Sequence, residues 1–291
     1  MLNNLKTTLL LGTLTGLLLV AGNSLAGQTG VVIAFFVAAL MNLGSWWFSD
    51  RIVLAMYRAQ PVGPQDAPEL YTMVRDLAAR AKLPMPKVYI IPEAQPNAFA
   101  TGRSPEHAAV AVTEGILRLV PPDELRGVLA HELAHVANRD TLTSAVAAVM
   151  AGAISMLANW AQWALFMGAG RGDDQEEGAG SGMSSLVMLL VAPIAATLIQ
   201  LAISRSREYA ADEYAARLIG DGRPLARALQ RLEQGVAAVP ANVEPATAHM
   251  FIVSPLSGGG IFALFRTHPH TEDRVARLIA VTADIGGRMA G

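Results

Sequence analysis

The chain has no cysteine. That excludes a disulfide scaffold, a thiolate nucleophile and any thiolate metal ligand. It leaves the redox compartment open, and it means that any metal must be held by histidine and carboxylate. Charge is also scarce. Asp, Glu, Lys and Arg make up 16% of the 291 residues, against about 25% in soluble domains. Hydrophobic residues reach 52% and mean hydropathy is +0.36. This deficit points to a membrane. The net charge of −2 supplies no global basic field, which argues against nucleic acid as a partner. There is no internal repeat.

The missing charge is concentrated in three stretches. Residues 7–49 carry no Asp, Glu, Lys or Arg. As one helix they would be about 64 Å long, twice the roughly 30 Å hydrocarbon core, so they must fold back. Gly22-Asn23-Ser24 and Gly27-Gln28-Thr29-Gly30 are the turn formers. We expect one span over 7–20 plus flanks and a second over 31–48, with Trp46 and Trp47 as an interfacial anchor. Residues 141–170 and 178–204 are also uncharged and flank a polar loop at 171–177. They read as a second pair of spans, with Pro193 as a tolerated kink.

Lys6, Arg51, Arg58, Arg139, Arg205 and Arg207 lie on one side of these spans; the opposite loops hold only Arg171 among four acids. The positive-inside rule then puts the N-terminus and the soluble part in the cytoplasm. Ser24-Leu25-Ala26 resembles a signal cleavage site, but a second apolar run follows at once, and an uncleaved anchor is the better reading.

Four segments follow: an N-terminal membrane hairpin at 1–50, a soluble part at 51–140, a second hairpin at 141–204 and a second soluble part at 205–291. The fold class expected is α+β, mostly helical, with four transmembrane helices and one small sheet. Within the soluble parts we expect a helix over 66–82, strands over 84–92 and 108–113, and helices over 204–218, 224–236 and 272–281. Residues 239–266, with Gly258-Gly259-Gly260, read as a mobile flap.

The chemistry sits at His131-Glu132-Leu133-Ala134-His135. Pro121-Pro122-Asp123-Glu124 is a good helix start, and Leu125, Val128, Leu129, Leu133 and Val136 give a packing face. Residues four apart on a helix are about 40° apart around its axis and about 6 Å apart along it. Both imidazoles can therefore reach one metal ion. Glu132 can accept a proton from water at the ion's open side. That is the pattern of a zinc-dependent peptidase.

Two histidines leave the site incomplete, since a catalytic zinc usually takes three protein ligands. The remaining candidates are His107, His249, His268, His270 or a carboxylate. Glu208 and Asp212 share a helix face in Arg205-Ser206-Arg207-Glu208-Tyr209-Ala210-Ala211-Asp212. One could bind the metal while the other accepts a hydrogen bond from a ligand imidazole. Spacing alone does not choose between these and a solvated helix face.

Taken together, the pieces resemble the HtpX-type membrane zinc metalloproteases, relatives of the CAAX prenyl endopeptidases. The resemblance covers nearly the whole chain: the paired N-terminal spans, Asn97-Ala98-Phe99-Ala100-Thr101-Gly102, His131 through Asp140, the second span pair, Ser206 through Asp212, and Thr267-His268-Pro269. It implies a zincin-like domain, one zinc per chain, Glu208 as third ligand and Asp212 as the acid behind a ligand. It implies polypeptide substrates at the membrane, protein quality control under stress and a place in the bacterial inner membrane. The family often has a second Pro where this chain has His270, which leaves the roles of His268 and His270 open.

On this reading Glu132 is the general base and then the proton donor to the leaving amine. His268 is the first candidate to stabilise the carbonyl oxygen of the tetrahedral intermediate, and Arg274 the second. Asn97 is a candidate to hold substrate backbone, because an extended peptide could add beside the neighbouring strand. His107 and His249 are read as structural. The alternative is a transporter or channel with an incidental histidine pair. No charged residue lies inside any expected span, which argues against it.

Overall fold

The uncharged N-terminus forms a helical hairpin. In this computed structural model, residues 2–152, 154, 205–238, 250–253 and 269–289 are described. Helix α1 (Leu2–Met56) is broken at Ala26 and Gly27, where the backbone leaves helical geometry and Gly27 takes a φ of 54°. Glycine reaches that left-handed region without a Cβ penalty. The two arms then touch so closely that a Cβ on Gly30 would collide with the Gly22 carbonyl. Further along, Asn42 Nδ2 donates to Thr15 Oγ1 at 2.9 Å across the hairpin.

The second arm, Ala26–Met56, is long and apolar enough to cross a bilayer. It exposes Val32, Ile33, Phe35, Phe36, Leu40, Leu43 and Trp47, more contiguous apolar surface than water tolerates on a soluble protein. Leu5–Val20 and Thr141–Gly152 are shorter apolar helices. We label Thr141–Gly152 α5. Leu10 and Leu14 of the first arm pack against Val146, Ala147, Met150 and Ala151 of α5. The rest of the expected second pair of spans, 155–204, lies outside the described residues, so of four expected spans one meets the length and hydropathy test among those described.

A four-stranded mixed sheet separates this apolar part from the rest. Its strands are β1 (Gln60–Val62), β2 (Lys87–Ile91), β3 (Ala98–Thr101) and β4 (Ala109–Thr113), in the order β1-β2-β4-β3. β2 and β4 are parallel, while the two outer pairings are antiparallel. Alternation along β4 decides the packing. Val110 and Val112 face the large soluble core, while Ala109 and Ala111 face Val53, Leu54, Ala145 and Ala148 on the other side.

The large core is helical. α2 (Pro68–Arg80) brings Leu70, Val74 and Leu77; the short α3 (Glu114–Leu119) is capped by Thr113, whose hydroxyl accepts from Ile116 N. α4 (Pro122–Ala137) carries the His-Glu-Leu-Ala-His run and is buried along most of its length. α6 (Arg205–Ile219), α7 (Arg223–Ala238) and α8 (Thr271–Met289) complete the layer. Gly127 lets α7 come close, since a Cβ there would sit 2.7 Å from Leu225 N. Glu124, buried at the start of α4, receives Arg227 and Arg231 from α7 at 3.3 and 2.8 Å.

The helices expected at 66–82, 204–218, 224–236 and 272–281 and both expected strands are present among the described residues. Two further strands lie outside the expected ranges. Ala98–Thr101, between the two expected strands, is itself a strand, buried on both faces. β1 is only three residues and contains Pro61. α8 runs to Met289, beyond the expected end at 281.

Candidate metal centre

α4 and α6 pack against each other over the sheet, and this places both halves of the expected ligand set together. One ligand atom each from His131, His135 and Glu208 lies within 4.8 Å of the others. His131 Nε2 is 3.2 Å from His135 Nε2. Glu208 Oε2 is 3.7 Å from His131 Nε2, and Glu208 Oε1 is 3.6 Å from His135 Nε2. Ligands about 2.0–2.1 Å from a tetrahedral ion are about 3.3 Å from one another. The two ring nitrogens already have that separation and Glu208 turns one oxygen towards each, so the set suits a metal with nitrogen and oxygen donors after a small adjustment of Glu208.

Both imidazoles are turned the same way. His131 Nδ1 is 2.9 Å from Asp212 Oδ1, and His135 Nδ1 is 3.3 Å from Asp140 Oδ2. An ionised carboxylate can only accept, so each Nδ1 carries the hydrogen and each Nε2 is the atom left to present a lone pair to a metal once its own proton is displaced. Asp212 is in turn held by Arg274, whose Nε and Nη2 donate to it at 2.8 and 2.7 Å.

Charge in this buried group is finely opposed. Burial pushes the His131 pKa down, but its hydrogen bonds to Asp212 and Glu208 outweigh that and raise it to about 9. Burial pushes Asp212 up, but the Arg274 guanidinium wins and holds its carboxyl below the usual range. Burial raises the pKa of Glu132, against the pull of both histidines. A bound cation would drive the proton off His131 and draw Glu132 back towards its anionic form.

Glu132 faces the cleft. Its Oε2 accepts from Ala100 N of β3 at 2.8 Å, which fixes the carboxylate between the sheet edge and the ligand set. The cleft has a cavity volume of about 50 Å³ and is lined in part by Met250, Phe251 and Ile252. Ile252 is anchored there: its N donates to Asn97 Oδ1 at 3.3 Å, and its carbonyl accepts from Arg274 Nη1 at 2.8 Å.

Residues 64–282 match peptidase family M48. The chain belongs to that family. It is a metallopeptidase, a hydrolase that acts on polypeptides. It is 54% identical to a protein named Protease HtpX homolog from Syntrophobacter fumaroxidans, over 94% of this chain and 97% of that one. A protein of the same name from Aquifex aeolicus is 53% identical over 93% and 90%. One from Persephonella marina is 52% identical over 98% and 99%. Among solved structures, that of S. mikatae Ste24p aligns at 19% identity over 92% of this chain and 62% of its own length, with a TM-score of 0.48.

The other expected site residues fall in different places. Arg274 is buried behind Asp212 and does not line the cleft; Arg207 does. The Asn97 side chain is taken up by Ile252 N. His107 is at the surface beside Arg103 and Ser104, and His270 is exposed. His249, His268 and all of the expected flap except 250–253 lie outside the described residues. Sequence reasoning missed Asp140 and Arg207. The available signal was an acid five residues beyond the second histidine and a basic residue directly before Glu208.

Proposed function

We propose that the chain is a multi-pass membrane zinc endopeptidase that hydrolyses polypeptides at the bilayer surface. The observation that supports it best is the convergence of His131 Nε2, His135 Nε2 and a Glu208 oxygen, with Glu132 anchored beside them. His131, His135 and Glu208 hold the metal, and the all-nitrogen-and-oxygen donor set suits zinc. When bound, such an ion supplies Lewis acidity to water and to the scissile carbonyl. Glu132 holds the proton taken from water and passes it to the leaving amine. Asp212 keeps the Nδ1 hydrogen on His131, and Arg274 acts through Asp212 rather than on substrate. His268 remains the candidate for the carbonyl oxygen.

The site lies close to lipid on this reading. α4 ends at Ala137 and the apolar α5 starts at Thr141, while α6 starts directly after the uncharged stretch 178–204. At about 1.5 Å per residue the ligands are within roughly 10 Å of the boundary. The uncharged stretches support four spans, the placement of Arg and Lys supports a site facing the cytoplasm, and the family resemblance supports a bacterial inner membrane. Misfolded membrane proteins are the substrates we favour. The 250–252 segment lines the cleft beside the ligand set, where an entering peptide would meet it.

Glu132→Gln tests the assignment. It keeps the shape and the anchor to Ala100 but cannot hold the proton. We expect at least about a 100-fold loss of kcat on casein, with zinc content unchanged. Full cleavage by this variant would end the proposal for Glu132. Glu208→Gln protein that keeps one tightly bound zinc would remove Glu208 from the ligand set.

A further inference from the structure

α4 stops at Asn138, and the chain turns back at once. Arg139 takes a left-handed φ of 57°. Asp140 N then donates to the His135 carbonyl at 2.9 Å, and this returns the Asp140 side chain to the ring of the same histidine. Asp140 Oδ2 is 3.3 Å from His135 Nδ1, and Arg207 Nη1 donates to Asp140 Oδ1 at 3.2 Å. Asp140 is 3% exposed. A carboxylate in an apolar setting is costly unless it is hydrogen-bonded and paired.

We propose that Asp140 is the positioning residue for His135 and that Arg207 holds Asp140 in place. The inference rests on the metallopeptidase reading above and adds a second support to it. Asp140 fixes the hydrogen on Nδ1, so the Nε2 lone pair is directed at the other two ligand atoms. It also orients the ring about its own axis, which the helix backbone does not. Arg207 is adjacent in sequence to Glu208, so one turn of α6 delivers a ligand and the partner of the acid behind another ligand.

Asp140 also sits at a junction. The next residue starts α5, and Thr141 Oγ1 donates to the Gly102 carbonyl at 2.7 Å. Thr143 Oγ1 and Thr7 Oγ1 are hydrogen-bonded at 3.0 Å, joining α5 to the N-terminal arm of α1. The His135 ligand is thereby tied to the apolar helices, while His131 is tied to α6 and α8 of the soluble core.

The test uses the full-length protein in detergent, stripped of metal and titrated with Zn²⁺ against a competing chelator. Removing the partner behind a metal-bound histidine typically costs 10- to 100-fold in metal affinity. Asp140→Ala should therefore raise the zinc Kd about 10- to 100-fold and change the visible absorption of the Co²⁺-loaded protein. Asp140→Asn, which can still accept at one oxygen, should fall between Ala and wild type. Arg207→Lys should keep most of the affinity and Arg207→Met should lose several-fold. A merely structural Asp140 would lower the melting temperature of the metal-free protein and leave both metal readouts alone. That outcome overturns the proposal. If Asp140→Ala does not fold, Asp140→Asn decides by the same two readouts. Wild-type protein that takes up no zinc would overturn the functional reading itself; wild type that binds zinc tightly beside unaffected Asp140 variants would overturn this inference alone.

Discussion

The two ligand histidines are supported by the same three-part chain of groups, built to different tolerances. In the first, His131, Asp212 and Arg274 have side-chain exposures of 1, 2 and 2%. Arg274 grips Asp212 with two short contacts, and the imidazole is 2.9 Å away. In the second, His135, Asp140 and Arg207 are 17, 5 and 17% exposed. Arg207 donates to Asp140 at 3.2 Å, and the imidazole is 3.3 Å away. The first arm is inside the soluble core, where no water can replace a lost partner. The second opens on the cleft and adjoins the apolar helices. The core arm is thus the one on which the fold depends, and the cleft arm is the one free to respond to what enters.

The largest expected effect comes from breaking the core arm. Arg274→Met leaves the Asp212 carboxylate buried without its guanidinium and also removes the donor to the Ile252 carbonyl. Losing one partner of a buried ion pair costs about 3–5 kcal/mol. Chemical denaturation of the metal-free protein should register that loss, and Asp212→Asn in the Arg274→Met background should recover part of it. A loss below about 1 kcal/mol would make the two arms equivalent and remove the contrast.

A pH titration sharpens the same comparison. The folded pKa of His131 is raised to about 9, from the ordinary value of about 6.5. The stability this contributes is fully present below about 6.5 and is lost as pH climbs to about 9, an effect of the order of 3 kcal/mol. Asp212 has the opposite sign. Its lowered pKa gives stability that is present above the ordinary Asp value and lost as pH falls through the folded one. Metal-free protein should therefore lose stability on both sides, above about pH 6.5 and below about pH 4. Asp212→Asn should flatten both limbs, since the carboxylate is also a main cause of the raised His131. Metal loading should reverse the alkaline limb, because zinc competes with the same proton. An alkaline limb that persists at saturating zinc would separate His131 from the metal.

The arms also differ in how far the sequence exposed them. His131, Glu132 and His135 were legible because a helix converts spacing into geometry, and α4 formed where its Pro-Pro-Asp-Glu start said it would. Spacing puts Asp212 one turn after Glu208 on the same face of α6, but its place behind a ligand is legible only through the family resemblance. Asp140 was not legible, because its position depends on a reversal at Arg139 that no periodicity announces. β3 escaped notice because Ala98, Phe99, Ala100 and Thr101 are all buried, which erases the alternation that marks a half-buried strand. Yet β3 supplies the backbone N–H that anchors Glu132. Gly127 is a weak helix former by itself, yet it is the place where α7 meets α4. What was missed in each case is a contact between segments far apart or a turn of the backbone, neither of which is written in a local pattern.

The smallest expected effect is the loss of stability on cutting the cleft arm at its arginine. Asp140 is buried, but Arg207 is partly exposed and water can take over some of its hydrogen bonding, so its loss should cost less than the about 3–5 kcal/mol of breaking a fully buried pair. Arg207→Met should therefore move the denaturation midpoint of the metal-free protein less than Arg274→Met does. The affinity for zinc should fall for both. A substitution that weakens metal binding while sparing the fold separates holding a ligand from holding the protein together. If Arg207→Met unfolds the protein as readily as Arg274→Met, the cleft arm is part of the core after all. Its exposure would then reflect only its place beside the cleft, and the ability to respond to an entering chain would have to be sought in the 250–253 segment that Asn97 and Arg274 pin down.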